Sequence, residues 1–61
     1  MQKYSTGQFV RDNDIVCHKL DFDFIGRIEI ARDTAPVSVR WNTGELEPVC
    51  VGDLEFIQRN D

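Results

Sequence analysis

No stretch of the chain approaches the ~18 consecutive apolar residues of a membrane-spanning helix, and no window of eleven residues carries a helical hydrophobic period. The N-terminus lacks the apolar run followed by small residues that a secretory signal needs. There are 2 cysteines, Cys17 and Cys50, without CxxC spacing. Together with His18 they supply at most three of the four ligands that zinc usually takes. These absences argue against a membrane protein, a helical bundle, a disulfide framework and a metal site, and no cofactor is expected. Both cysteines sit in apolar runs, where a free thiol behaves as a small hydrophobe. Reduced thiols in a cytoplasmic protein are the reading that follows.

Positive charge is also scarce, with 7 basic residues against 11 acidic ones and a net charge of -4. The average field repels phosphate backbones and anionic lipid and favours basic partners. The basic residues are scattered singly, so no linear patch emerges. At 61 residues the chain is one domain, and folding a domain of this size hides only ~60% of the surface of the unfolded chain. A closed ligand cleft of ~300 Å³ or more would consume most of its interior. Size therefore favours a binding module over an enzyme.

What the chain has is punctuation. Residues 1–7, MQKYSTG, read as a polar N-terminal tail, and residues 8–61 as the domain. Between DND at 12–14, RDT at 32–34, NTG at 42–44 and GD at 52–53 lie short runs rich in Val and Ile, the signature of strands joined by tight turns. Strands are expected at 14–19, 25–31, 36–41, 45–50 and 55–58. In PVSVRW, Val37, Val39 and Trp41 share one face while Ser38 and Arg40 share the other. Trp41 thus reads as the third member of an inward row, with its indole N–H bonded near one end of the core. Gly44 supplies the positive φ that the following hairpin needs. Pro48 cannot donate a ladder bond, which makes the fourth strand an edge or a broken strand. VGDL has the length of one 3₁₀ turn with Leu54 facing inward. In the first strand Ile15 and Cys17 share one face and Val16, His18 and Leu20 the other, and periodicity does not choose between them.

The expectation is an all-β fold, and its layout resembles the small five-stranded SH3-like barrel with one 3₁₀ turn before the last strand. KOW and Tudor domains and the small barrel protein of photosystem I share that layout. DIVCHK resembles the first strand of those families, where Asn13 and Asp14 replace a Gly-Asp pair. Gly26-Arg27-Ile28, APVSVRWNTGE and VGDLEFI resemble their glycine-led second strand, their valine-aromatic stretch before a turn and their closing 3₁₀ turn. The type II dihydrofolate reductases also use this barrel, with a Val-Gln-Ile-Tyr stretch. This chain has Leu46, Glu47, Pro48 and Val49 there, so that activity is not expected.

The resemblance places LDFDFIG where such barrels carry a long first loop, in which peptide-binding members mix aromatic and acidic residues. Two readings follow. Leu20, Phe22 and Phe24 cap the open end of the barrel while the aspartates are solvated, or Asp21, Phe22, Asp23 and Phe24 form a binding surface. The second gives a non-enzymatic protein-interaction module, a small subunit or modulator of a larger complex, whose partner is a basic protein or peptide. The alternative is KOW/Tudor-like nucleic-acid binding through Arg27, Arg32 and Arg40, with Arg27 and Arg40 on outward faces of neighbouring strands. A nucleophilic pairing of Cys17 with His18 fails because strand neighbours point to opposite faces. Glu45 and Glu47 share a face and read as a solvated edge that discourages strand pairing. Exposed edges leave a homo-oligomer open.

Overall fold

The computed structural model describes residues 1–60; Asp61, the last residue of the expected domain, lies outside the described residues. The fold is all-β, with strands β1 (Ile15–His18), β2 (Asp21–Ile30), β3 (Val37–Trp41), β4 (Leu46–Val49) and β5 (Leu54–Gln58), and a 3₁₀ turn at Val51–Asp53. They form one antiparallel sheet in the order β4-β3-β2-β1-β5. Four strands are a meander, and β5 returns across the sheet to pair with β1. This arrangement is consistent with an SH3-like barrel.

The core follows from the period-2 pattern. Val37, Val39 and Trp41 are buried while Ser38 and Arg40 lie on the wetter face. Ile28 sits opposite Val39, and Val16 lies opposite Gly26 on one side and Phe56 on the other. This register settles β1: Val16 faces the core, while Cys17, opposite Ile25 and Glu55, is buried on the other face. Gly26 is dictated by its neighbours. A Cβ there would come within 2.7 Å of Trp41 Cε3, 2.8 Å of Val39 Cγ1 and 3.0 Å of the Arg40 carbonyl oxygen.

The turn after β3 closes with Gly44 N–H donating to Trp41 O and Trp41 N–H to Glu45 O, both at 2.9 Å, with Gly44 at φ +93°. Bonded and non-bonded pairs alternate along an antiparallel ladder. Trp41 with Glu45 is a bonded pair, so Arg40 with Leu46 and Ser38 with Pro48 are non-bonded ones. The Pro48 nitrogen therefore faces the free edge of β4, where its missing N–H costs the sheet nothing.

The structure differs from the sequence reading at the N-terminus. Residues 1–7, read as a tail, contribute Tyr4 to the core. Residues 2–10 fold back on themselves, with Val10 N–H donating to Gln2 O, Tyr4 N–H to Gln8 O and Gly7 N–H to Tyr4 O, each at 2.9 Å. Gly7 takes φ +93° at the bend. Tyr4 and Val10 seat this small hairpin on the core, and the Tyr4 ring lies 5.2 Å from that of Phe56.

Beneath it lies the one charged group in the core among the described residues. Asp14 is 0% exposed. Its carboxylate accepts from Tyr4 Oη at 2.8 Å, the Arg11 N–H at 3.0 Å and Arg59 Nε at 3.0 Å. Arg59 Nη2 also donates to the Phe9 carbonyl at 2.8 Å. Burial opposes ionisation of Asp14, but these donors and the Arg59 charge outweigh it and hold the carboxyl below its ordinary range. Burial and the bond to Asp14 push the Tyr4 phenol well above its own.

Candidate functional site

The hairpin between β1 and β2 carries the expected site. His18 pairs with Asp21, which leaves Lys19 and Leu20 as a two-residue turn. The Leu20 N–H donates to His18 Nδ1 and the Asp23 N–H to Asp21 Oδ1, both at 3.1 Å. Beyond Asp21 the register jumps: Cys17 pairs with Ile25, so residues 22–24 have no counterpart in β1. Pairing with β3 begins at Gly26. The segment read as a loop is thus the start of β2, bulged away from its neighbour. Sequence punctuation missed this because LDFDF alternates as a strand while containing no Gly or Pro to mark the bulge.

The four candidate residues divide. Phe24 shares the phase of Gly26 and stacks on Trp41, with ring centroids 4.2 Å apart and planes at 16°. The space left by Gly26 admits the indole, and Phe24 covers its flank. Trp41 Nε1 donates to Glu47 Oε2 at 2.9 Å, and the His18 ring lies 6.4 Å away. Trp41 is 2% exposed, as expected of a core residue. Phe22 is 69% exposed and Leu20 87%, while Asp21 and Asp23 stand in solvent around them. Of the apolar residues read as a lid, Phe24 alone packs down.

Glu47, read with Glu45 as a solvated edge, is exposed and also accepts the indole N–H. It lies opposite Val39, on the inward side of the edge strand. The sequence shows the shared phase of Glu45 and Glu47 but not that Glu47 bonds Trp41.

Arg27 and Arg40 are direct cross-strand neighbours, as the outward phase implied. Glu29 stands between them, with Oε2 3.7 Å from Arg27 Nη2 and 3.2 Å from Arg40 Nε. Arg40 also donates from Nη1 to the Gly44 carbonyl at 2.9 Å. Arg32 is exposed in the β2–β3 connection. Of the cysteines, Cys17 is buried, and burial followed by the nearby Glu55 raises its thiol pKa. Cys50, read as a small hydrophobe, is exposed beside the 3₁₀ turn.

Among the described residues no pocket opens and no cluster of three or more metal-ligating side chains forms. No helix is long and apolar enough to cross a membrane. Comparison with family models, curated proteins and solved structures returns no match to the chain.

Proposed function

We propose that the chain is a small SH3-like barrel acting as a non-enzymatic protein-interaction module through the tip of the β1–β2 hairpin. One observation carries the reading: Leu20 and Phe22 stand 87% and 69% exposed beside the exposed carboxylates of Asp21 and Asp23. An apolar side chain held in water by a hairpin gains by being covered, at about 25 cal/mol per Å² removed from water. The flanking carboxylates select what covers it, favouring a surface that carries Lys or Arg. Lys19 subtracts from this field, but the chain's net charge of -4 acts in the same direction as the aspartates.

The test is nuclear magnetic resonance shift mapping of the whole chain against an array of short peptides combining Lys or Arg with aliphatic residues. Shifts should centre on residues 20–24 and vanish in a folded Phe22→Ala, Asp21→Asn double variant. Undiminished binding by that variant would place the site elsewhere.

The second reading, nucleic-acid binding through Arg27, Arg32 and Arg40, draws on the direct pairing of Arg27 with Arg40. Glu29 neutralises part of that pair, which ranks it below the first. It requires a salt-dependent affinity for RNA or DNA, and no gel shift at low salt would remove it.

A further inference from the structure

We infer that the outward face of β2, β1 and β5 is a self-association surface, on which a second copy of the chain packs so that Arg27 of each copy meets Glu55 of the other. This inference is independent of the reading of the hairpin tip. The register places the residues: Cys17 lies between Ile25 and Glu55, and Ile15 between Arg27 and Gln58. Val16 faces the core, so Ile15 and Cys17 face outward together with these neighbours. Ile57 is the extra residue where the β1–β5 register shifts, and it shares the phase of Glu55. Ile25 and Ile57 are 38% and 44% exposed. Ile15 is half-buried between them, and the small Cys17 is sunk among its larger neighbours. Contiguous exposed apolar surface rimmed by charge is a feature of interaction sites.

The arrangement of charge selects the occupant. The six residues form two rows across the three strands, Arg27-Ile15-Ile57 and Ile25-Cys17-Glu55. Arg27 and Glu55 therefore stand at opposite corners, and Ile25 and Ile57 at the other two. When two copies pack face to face about a two-fold axis along the Ile25–Ile57 diagonal, each Arg27 comes to the partner's Glu55. The same operation sets each isoleucine of the diagonal against its own copy and Ile15 over Cys17. One patch thus supplies both halves of each ion pair, which is what an isologous interface requires. Both charges are available for it. The Arg27 side chain is 46% exposed, with Glu29 no closer than 3.7 Å, and among the described residues no cation lies within ion-pair distance of Glu55. Stable interfaces bury ~1,200–2,000 Å² in all. A patch of six residues belongs at or below the small end of that range, so the dimer forms at high protein concentration.

The experiment is sedimentation equilibrium of the full chain over a concentration series at low salt, where charge pairs are least screened, with amide shifts followed through the same dilution. The mass should rise toward that of two chains, and the shifts that move should centre on residues 15, 17, 25, 27, 55 and 57. Arg27→Glu and Glu55→Arg should each weaken the dimer about tenfold, because the two-fold axis sets like charges together twice. Mixing the two variants should restore it: the introduced glutamate then meets the introduced arginine, and the native Arg27 and Glu55 meet as before. Ile57→Ser, at a position outside the core cluster, should weaken the dimer without touching the fold. A parent chain that stays monomeric up to about 1 mM would overturn the proposal. So would association unchanged by Ile57→Ser, or a mixture that associates no better than either charge variant alone while both keep the parent's shift dispersion.

Discussion

Phe24 lies flat against Trp41, 4.2 Å between ring centroids, while Phe22, two residues earlier in the same strand, stands 69% exposed. The same residue type in the same phase thus does two jobs. Phe24→Ala should cost about 2 kcal/mol, from lost packing and the stacked pair, and Phe22→Ala less than about 0.5 kcal/mol. Urea denaturation followed through the fluorescence of Trp41 measures both. Equal losses would mean that Phe22 packs into the core after all.

Gly26 and Trp41 are coupled by contact. Gly26→Ala forces a methyl group against the indole and Val39, and the Arg40 carbonyl blocks retreat. Overpacking of this kind costs about 1–3 kcal/mol, or a fall in melting temperature of roughly 4–8 °C per kcal/mol for a domain of this size. Pairing Gly26→Ala with Trp41→Phe should recover part of the loss, since the smaller ring yields the space. Additive losses would deny the coupling.

The clasp at Asp14 makes stability pH-dependent in a defined direction. Its carboxyl titrates lower in the folded chain than in the unfolded one, where ~3.9 is ordinary. Its contribution is therefore fully present above that unfolded value and lost as pH falls through the folded one. Asp14→Asn should destabilise by about 1–3 kcal/mol at neutral pH, because the bonds that Arg59, the Arg11 N–H and Tyr4 give to a buried carboxylate are weakened or lost. The gap between the two proteins should narrow on acidification from pH 5 to pH 2. Tyr4 acts in the opposite sense: its raised pKa stabilises below about pH 10 and is lost as pH rises beyond, a decline that Tyr4→Phe removes. A constant gap across the acid range would show that Asp14 is not the titrating group.

Pro48 guards an edge. Pro48→Ala returns an outward N–H to the free side of β4, and unguarded edges pair with one another. Sedimentation should show self-association that grows with concentration in the variant and exceeds that of the parent. Identical profiles would deny the edge its role.

Much of the sheet was legible because side-chain phase is a local property. Val37, Val39 and Trp41 announced the inward row, Gly44 the turn, and Leu54 the residue closing the 3₁₀ turn. Elements whose roles depend on distant partners were not legible. Tyr4 sits in a polar stretch that reads as a tail, and its place in the core depends on Asp14 ten residues on. Arg59 is 45 residues from the carboxylate that holds it. At the hairpin tip the sequence left open whether Phe22 and Phe24 are lid or surface, and the structure packs one against Trp41 and exposes the other. Whether a phenylalanine is lid or surface depended on Gly26 admitting the indole to its side, a contact between two strands.

The pairing of Asp14 with Arg59 also couples the N-terminal hairpin to the segment after β5. The hairpins that build β1 through β4 join near neighbours in the chain, and such local contacts form readily as the chain emerges. β5 and Arg59 come last, yet they complete the environment of a carboxylate made near the start. Until then Asp14 lacks its guanidinium partner, and burying it would carry the cost of an uncompensated charge. Closing the N-terminal hairpin over the carboxylate at position 14 is thus tied to the placement of Arg59, so the two ends of the domain are secured together.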